Sequence, residues 1–374
     1  MALRVAYFGT YDPTYARNRV LIEGLRAAGA TVEEFCAPLP DSLSATRLAT
    51  AAGAGRLACE LVRAHLRLML QHRRHLRIDV ALVGYPGHLI VPSAWVLARY
   101  RRALLVFDPL VSLFDTFAGD RALVAGESAA GKAARAADRM AFGLPDVILA
   151  DTAAQALYYR DGLGVAGRKI EIVPVGALPV AAATGSARSP AVGDPLVVLQ
   201  YGKWSPLHGV ETVLDAAEAL RDEPFRFVLS GEGQSSAALR DSVARRRLAN
   251  VELTGQLSTG ELRRRVLAAD ICLGVFGGSQ KAARVIPNKV YDALAAGRPL
   301  VTRYSTAARE LLADDVTALL VPPADGAALA AALRRLCDEG ERARLGTAGL
   351  ALYRERCTPG IIGVRLLAAL EARR

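Results

Sequence analysis

"LVVLQYGKWSPLHGVETVLDAAEAL", residues 196–220, joins an apolar strand pattern to an amphipathic helix pattern through a short loop. The spacing predicts a strand that ends at Gly202 and a helix that follows Gly209. Lys203 and His208 fall in the loop between them. An order of strand, loop and helix is the repeating unit of a parallel α/β fold.

The stretch before this unit, residues 179–195, is rich in Ala, Pro, Gly and Ser and has neither a strand nor a helix pattern. A strand that restarts after such a linker marks a domain boundary. The last residues open with a Thr-Pro helix signal and continue with spaced Ile, Val and Leu, which predicts a helix that packs back toward the first domain. We expect these segments: a domain over 1–178, the linker over 179–195, a domain over 196–355 and the helix over 356–374.

Apolar runs alternate with helical patterns on both sides of the linker. The first half contains "LRVAYFG", "VALVGYP", "ALLVFDP" and "DVILADT", and the second half contains "RFVLSGEG", "NVELTGQ", "DICLGVFG", "PLVTRYS" and "TALLVPP". This alternation predicts parallel sheets covered by helices on both faces. We therefore expect two Rossmann-like, doubly wound α/β domains that face a central cleft, with the carboxyl ends of the strands at the cleft.

The composition favours anionic partners. Lys and Arg outnumber Asp and Glu by 47 to 37, which gives a formal charge of +10 and suits phosphorylated ligands, anionic lipid or nucleic acid. The 5 cysteines are scattered, without a C-x-x-C pair, which is typical of the reducing cytoplasm and argues against a disulfide framework or a zinc site. The N-terminal residues show no signal-peptide pattern, so we expect a cytoplasmic protein.

Two loops of the second half are suited to a phosphate group. Lys203 and His208 would lie beside the amide groups of a helix start, although a solvated loop lysine is the simpler interpretation. The turn "SGEG", with Gly231 and Glu232, follows the next strand and would let a ligand approach the backbone. Ser236 replaces the third glycine of a G-x-G-x-x-G fingerprint, which argues against a dinucleotide site.

A third segment, "RVIPNKVYDALAAG", has proline, asparagine and lysine at a helix start. Pro287 fixes the turn, Asn288 can cap the helix, and Asp292 lies one turn further on the same face. Backbone amides and Lys289 could contact a diphosphate while Asp292 accepts hydrogen bonds from a ribose diol. The plainer alternative is a well-capped amphipathic helix.

Taken in order, these segments resemble the C-terminal domain of GT-B glycosyltransferases, in particular the retaining family 4 enzymes. The Gly-Lys loop at Gly202, the "SGEG" turn and the V-x-x-x-G pattern that ends at Gly255 follow the family order. "YDALAAGRPLVT" and "ALLVPPADGAALAAAL" match two further family motifs. The resemblance covers most of residues 196–370 and extends less specifically to the first half.

The resemblance implies a role for each matching residue. Lys203 and His208 stand for the basic pair that neutralises the donor diphosphate, and a histidine there would make the charge pH-dependent near neutrality. Asp292 stands at the second glutamate of an E-x7-E pair and would hold the ribose. The first glutamate is replaced by Arg284, which could bind the diphosphate or an anionic sugar but could not stabilise positive charge on the donor sugar. No obligatory metal is implied.

In this family the first domain usually holds the acceptor. The candidates there are Arg17, Asn18 and Arg19 after the first strand, His88 in "GYPGH", and Asp108 and Asp115 in "VFDPLVSLFD". Asp108 and His88 follow apolar strands and would lie near the cleft, although either could equally be an ordinary turn or helix-cap residue.

Residues 55–77 read as a basic amphipathic helix that could lie on an anionic membrane. Leucines are interspersed there with Arg56, Arg63, Arg67, Arg73 and Arg74. A surface helix whose leucines join the domain core is the alternative. Nucleic-acid binding has less support because no recognised module accompanies the arginines.

The combined prediction is a cytoplasmic retaining hexosyltransferase that moves a sugar from a nucleoside diphosphate sugar, UDP-linked, to an acceptor hydroxyl. Lys203, His208, Asp108, His88 and Arg284 are the expected catalytic residues. The donor is a substrate, and no cofactor is expected. A sugar-nucleotide hydrolase or epimerase on the same fold, or a weakly active nucleotide-sugar-binding protein, remain alternatives.

Overall fold

The computed structural model describes residues 2–38, 51–72, 77–180 and 193–374. The chain divides into two compact units, each with its own core. Unit 1 comprises Met1–Phe117, Val124–Pro174 and Pro359–Arg374, and unit 2 comprises Ala118–Leu123 and Val175–Thr358. The main division therefore falls after Pro174, and the short segment Ala118–Leu123 belongs with the second half of the sequence.

Unit 1 is built on a parallel sheet of six strands. The strands are β1 Arg4–Gly9, β2 Thr31–Cys36, β3 Val80–Val83, β4 Leu104–Phe107, β5 Val147–Ala150 and β6 Ile170–Ile172. The helices are α1 Ala16–Ala27, α2 Ala51–His72, α3 Val91–Arg101, α4 Ala129–Gly143 and α5 Ala153–Leu163. The strand order is β2-β1-β3-β4-β5-β6, and every pairing is parallel.

Helices cover both faces of the first sheet, as the apolar runs predict. Ala6 and Phe8 of β1 point to the same face as Val83 of β3, and this face packs on residues of α2 to α5. The C-terminal helix α14, Pro359–Glu371, packs against α1 within unit 1. A Cβ built on Gly363 would overlap the backbone of Gly24, so these two helices cross in close backbone contact.

Unit 2 repeats the architecture with a second six-stranded parallel sheet. The strands are β7 Leu196–Tyr201, β8 Phe225–Ser230, β9 Val251–Leu253, β10 Ile271–Leu273, β11 Leu300–Arg303 and β12 Leu319–Val321. The helices are α6 Val210–Ala219, α7 Ser236–Arg246, α8 Thr259–Ala268, α9 Gln280–Arg284, α10 Asn288–Ala295, α11 Thr306–Leu311, α12 Gly326–Arg335 and α13 Glu339–Arg356. The order β12-β11-β10-β7-β8-β9 places β7 inside the sheet.

The predicted α/β class, with two doubly wound parallel sheets, is confirmed. Strand β7 ends before Gly202 and α6 begins after Gly209, as residues 196–220 indicate. Gly202 has φ +142° and Gly209 has φ +61°, backbone conformations that favour glycine. These two glycines therefore set the start and the end of the loop that carries Lys203 and His208.

Helix α2 covers most of the predicted basic helix, while Arg73 and Arg74 lie outside the described residues. None of the helices in the described ranges combines the length and the apolar character that a bilayer crossing needs.

Candidate functional site

The loop after β7 is held by packing on both sides. Trp204 is buried, and the 3-10 turn Pro206–His208 follows it. The Phe276 amide donates to the His208 carbonyl at 3.1 Å, and the Gly277 amide donates to the Leu207 carbonyl at 3.1 Å. The loop backbone is therefore fixed in place, while Lys203 is exposed at its start.

The glycines after β8 allow two loops to touch each other. A Cβ on Gly231 would overlap the Gly202 carbonyl oxygen, and a Cβ on Gly233 would come within 2.6 Å of the Trp204 nitrogen and oxygen. We expected these glycines to admit a ligand to the backbone. In the structure they admit the neighbouring loop of the same chain.

Glu232 and Gly255 lie on the same side of this loop pair. A Cβ on Gly255 would be 3.8 Å from Glu232 Oε1, and Gly255 has φ +66°. The Ser230 hydroxyl donates to the Gly255 carbonyl at 3.2 Å, which joins the end of β8 to the turn after β9. Glu232 itself is exposed.

Helix α10 begins at Asn288, and the residue in the capping position is Pro287, which makes no side-chain cap hydrogen bond. The prediction that Asn288 caps this helix is wrong, because the helical turn already includes it. Lys289 is buried, and its Nζ has no hydrogen-bond partner among the described residues. Nζ lies 5.6 Å from the centre of the Tyr201 ring.

Lys289, His208 and Gly202 meet at one point. A Cβ built on Gly202 would be 2.6 Å from His208 Nε2 and 3.2 Å from Lys289 Nζ. The other ring nitrogen, Nδ1 of His208, is 3.1 Å from the Ser205 hydroxyl oxygen. The absence of a side chain at position 202 therefore leaves room for the Lys289 ammonium and the imidazole beside the half-buried backbone at the end of β7.

The pKa of His208 differs from the expectation that this residue titrates near neutrality. Burial lowers the pKa of His208 well below its usual value, and the nearby cations Lys289 and Arg121 lower it further. The ring is therefore neutral at pH 7, and the prediction that it titrates near neutrality is wrong for the free protein. Burial also lowers the pKa of Lys289 to about 7, against the opposing attraction of Asp292. Lys289 therefore titrates near neutrality.

Asp292 is half-buried and accepts a hydrogen bond from the Tyr201 hydroxyl at Oδ2. Burial raises the pKa of its carboxyl to about 6, although Tyr201, Arg263 and Lys289 act in the opposite direction. Asp292 therefore lies beside Lys289 and beneath the end of β7, where a ribose ligand is predicted; the ribose contact itself stays a prediction.

Arg284 ends the short helix α9 and is half-buried, 3 residues before Pro287. Its role also stays a prediction.

The sequence patterns did not single out Tyr201, Arg303 or Arg121. Buried Arg303 donates to the carbonyls of Gly277 and Ser279, and so holds the segment before α9. An arginine at the end of an apolar strand was an available signal. Arg121 is far from His208 in the sequence, so no local sequence pattern could have predicted that it lies close enough to affect the pKa of this histidine.

The first-half candidates are enclosed by their own unit. Arg17 and Asp108 form an ion pair, with Arg17 Nε 2.9 Å from Asp108 Oδ2, and both side chains are buried. Arg17 also donates to the Val173 and Pro174 carbonyls. Asn18 is buried and donates to the Asp12 and Tyr85 carbonyls. The hydrogen bonds of Arg17 and Asn18 therefore join α1 to segments that follow neighbouring strands.

His88 is also enclosed, with Nε2 2.8 Å from the Val111 carbonyl and its ring against Phe107. Burial lowers its pKa, while Asp138 and the Val111 contact raise it. Arg19 is half-exposed and pairs with Glu23, and Asp115 begins a short π-helical segment. These residues belong to unit 1, whereas Lys203, His208 and Lys289 belong to unit 2. Their contact with an acceptor stays a prediction.

Within the described ranges, no cluster of three or more His, Cys, Asp or Glu side chains suited to a metal ion is found. Metal independence therefore rests on the resemblance alone.

Two doubly wound domains, each built on a parallel six-stranded sheet, define a two-domain α/β fold. The structure of Anabaena Alr3699/HepE in complex with UDP and glucose is similar, with a TM-score of 0.69 at 14% identity over 99% of this chain and 100% of that one. The structure of a sucrose-phosphate synthase from Thermosynechococcus elongatus is also similar, with a TM-score of 0.73 and 19% sequence identity. This similarity covers 99% of this chain and 98% of that one. These similarities confirm the GT-B fold class.

Residues 195–339 match the family model described as glycosyl transferases group 1. This segment lies within unit 2, and the match confirms the expected resemblance to group 1 glycosyl transferases. The finer resemblance to the retaining family 4 enzymes stays a prediction.

Curated relatives match over part of their lengths. The amylovoran biosynthesis glycosyltransferase AmsK of Erwinia amylovora is 29% identical over 40% of this chain and 38% of its own length. The putative colanic acid biosynthesis glycosyl transferase WcaI of Escherichia coli is 32% identical over 27% of this chain and 25% of its own length. The matched segments thus span less than half of each relative.

Proposed function

We propose that the protein transfers a sugar, with retention of configuration, from a UDP-sugar to an acceptor hydroxyl and needs no bound metal. The observation that carries the proposal is the buried Lys289 ammonium, which lacks a hydrogen-bond partner in the described part of the chain. A buried, unpaired cation is costly unless it meets an anion during the functional cycle. The donor diphosphate is an anion of the right charge for this position.

The surrounding groups support a diphosphate rather than a carboxylate or a neutral ligand. Lys203 is exposed at the start of the same loop, and Arg121 is close enough to His208 to affect its pKa. The first turn of α10 adds backbone amides next to Lys289. The similarity to a HepE structure that contains UDP-glucose supports UDP as the nucleotide.

The chemistry follows from charge at the leaving group. Transfer breaks the bond between the anomeric carbon and the β-phosphate oxygen and forms a bond from the same carbon to the acceptor oxygen. The acceptor proton passes to an oxygen of the departing phosphate. Lys289 and Lys203 stabilise the charge that develops on the diphosphate, and this stabilisation lowers the barrier.

A bound diphosphate would also affect the protonation of His208. Burial keeps the pKa of His208 low in the free protein, and Lys289 and Arg121 lower it further. A diphosphate at this point would offset their repulsion and raise the pKa of His208. The site would then gain charge as the donor binds.

The test is a panel of UDP-, GDP- and ADP-sugars incubated with the protein, with and without acceptor extracts. Nucleotide release and the masses of the sugar products are measured. Acceptor-dependent release from a UDP-sugar is expected, with the anomeric configuration of the product determined by NMR. Release that never needs an acceptor indicates a hydrolase, and an isomerised donor indicates an epimerase. Binding without any turnover would leave a nucleotide-sugar-binding protein.

We also propose a location in the reducing cytoplasm, because the five cysteines are scattered along the sequence without a C-x-x-C pair.

A further inference from the structure

Helix α2 turns a row of apolar side chains toward solvent. Val62, Leu66 and Leu70 are 59%, 60% and 58% exposed and are spaced 4 residues apart, so they lie on one side of the helix. Ala64 and Leu68 on the opposite side are buried in the core of unit 1. The sequence pattern left open whether the leucines join this core. The structure divides them between the core and the outer surface.

Arginines border this apolar row. Arg63 and Arg67 follow Val62 and Leu66 by one residue and are exposed, as is Arg56 two turns earlier. Residues 55–72 contain 3 arginines and one acidic residue, Glu60, which pairs with Arg63 at 2.6 Å. The outer face of α2 is therefore apolar along its middle and positively charged along one flank.

Helix α3 adds a second patch of the same character. It packs on the same face of the first sheet as α2, because its Ala94 and Leu97 share a core cluster with Ala64 and Leu68. Outward, Val96 and Tyr100 are 56% and 78% exposed. Residues 91–102 contain 3 arginines and no acidic residue. Two helices that cover one sheet face thus have the same kind of outer surface.

We propose that the outer faces of α2 and α3 bind the surface of an anionic lipid bilayer. A helix with an apolar stripe and flanking arginines lies in the membrane interface, where the stripe enters the acyl boundary and the arginines meet lipid phosphates. The excess of positive charge on both helices, and the formal charge of +10 on the chain, complement anionic headgroups. This binding would place the protein on the surface of a membrane.

The test uses flotation with vesicles of phosphatidylglycerol and phosphatidylcholine in equal parts, and with phosphatidylcholine alone. We expect binding to the anionic vesicles only, weaker at physiological salt because the charge interaction is screened. Val62→Ser/Leu66→Gln/Leu70→Gln should lower the partition coefficient about tenfold or more. The double variant Arg63→Gln/Arg67→Gln should lower the partition coefficient by about fivefold for each arginine that is removed. A matched control, Val316→Ser/Val364→Ser, changes side chains that are 54% and 59% exposed elsewhere and should bind as the wild type does.

An exposed cysteine reports directly on the docked face. Cys59 lies one turn before Val62 on α2, whereas the other exposed cysteine, Cys337, lies in unit 2. An environment-sensitive fluorophore at Cys59, in the Cys337→Ser protein, should shift to the blue when anionic vesicles are added. The same fluorophore at Cys337, in the Cys59→Ser protein, should not shift.

Three results would overturn the proposal: no vesicle binding at low salt, equal partitioning of the triple variant and the wild type, or a dimer that the triple variant dissociates while vesicles do not bind. The last result would assign the face to a second copy of the chain. All of these measurements are made without a donor, so they succeed or fail independently of the transferase activity.

Discussion

The Lys289 ammonium is buried next to a neutral histidine, and within the described ranges it has no hydrogen-bond partner. The charge states of His208 and Lys289 are linked here. His208 stands where a cation is expected and is held neutral, and Lys289 provides a cation at the same strand end. In the proposed donor site, α10 and the loop after β7 would therefore both supply positive charge for the diphosphate.

Lys289→Met should weaken UDP binding and strengthen the fold. Loss of a charged hydrogen bond to the diphosphate should cost on the order of 1.5–3 kcal/mol in affinity, measured by calorimetry. The free energy of unfolding should rise by about 1–3 kcal/mol because a buried unpaired cation is removed. Lys132→Met, an exposed lysine in unit 1, is the control and should change neither quantity. Unchanged UDP affinity in Lys289→Met would exclude Lys289 from the site.

The pKa of Lys289 also makes donor binding depend on pH. The group loses its proton as the pH rises through about 7 in the free protein, while the bound diphosphate favours the charged form. Protons should therefore be taken up on UDP binding above pH 7, and the affinity should fall by up to about tenfold per pH unit. Calorimetry in buffers of different ionisation enthalpy measures this uptake, which should decrease in Lys289→Met.

The lowered pKa of Lys289 also makes the stability of the fold depend on pH. The pKa of Lys289 in the folded protein is below its unfolded value of 10.5, so the unfolded chain binds more protons between these values. Lys289 therefore destabilises the fold most below pH 7, and this effect fades as the pH rises toward 10.5. The stabilisation by Lys289→Met should fade over the same range.

Asp108→Asn is expected to act on the fold of unit 1. The change leaves the buried Arg17 guanidinium without its carboxylate, and loss of one partner of a buried ion pair costs about 3–5 kcal/mol. Thermal unfolding measures this loss. Asp161→Asn breaks an exposed arginine pair and should cost less than about 1 kcal/mol. If Asp108→Asn kept full stability but abolished transfer, Asp108 would be a catalytic residue after all.

At the scale of elements, the sequence predicts strands better than it predicts the partners of side chains. The apolar runs and the glycines at 202 and 209 place β7, its loop and α6 correctly. The prediction that Asn288 caps α10 was wrong because the sequence Pro-Asn-Lys is compatible with a helix that starts at Asn288 or at Lys289. The Arg17–Asp108 pair joins positions 91 residues apart, and only the folded sheet brings them together.

The crossing of α1 and α14 gives a matched pair of glycines within one helix. A Cβ at Gly363 would overlap the backbone of Gly24, whereas a Cβ at Gly360 would meet nothing within 4 Å. Gly363→Ala should therefore destabilise unit 1 by about 2 kcal/mol or more, because the two helices must move apart. Gly360→Ala should be neutral or slightly stabilising. Denaturant unfolding of the two variants measures the difference; equal stabilities would contradict the close crossing.

At the scale of the whole molecule, the candidate donor site belongs to one unit. Gly202, His208, Lys289, Asp292 and Arg121 all lie in unit 2. Hydrogen exchange with UDP should therefore show slower exchange at 202–209 and 286–292, and no change in β1 to β6. Protection limited to the strands of unit 1 would be evidence against the proposed site. AMP at the same concentration, which lacks the diphosphate, is the control ligand.

The path of the chain also limits how this protein can be recombined with its relatives. Residues 118–123 belong to unit 2 although they are encoded within the first half, and the Gln234 side chain donates to the Arg121 carbonyl at 2.8 Å. A chimaera that takes only 175–358 from this chain leaves Arg121 behind. We therefore expect that an exchange of donor specificity between relatives needs two inserts, because a single crossover in the linker would separate Arg121 from His208.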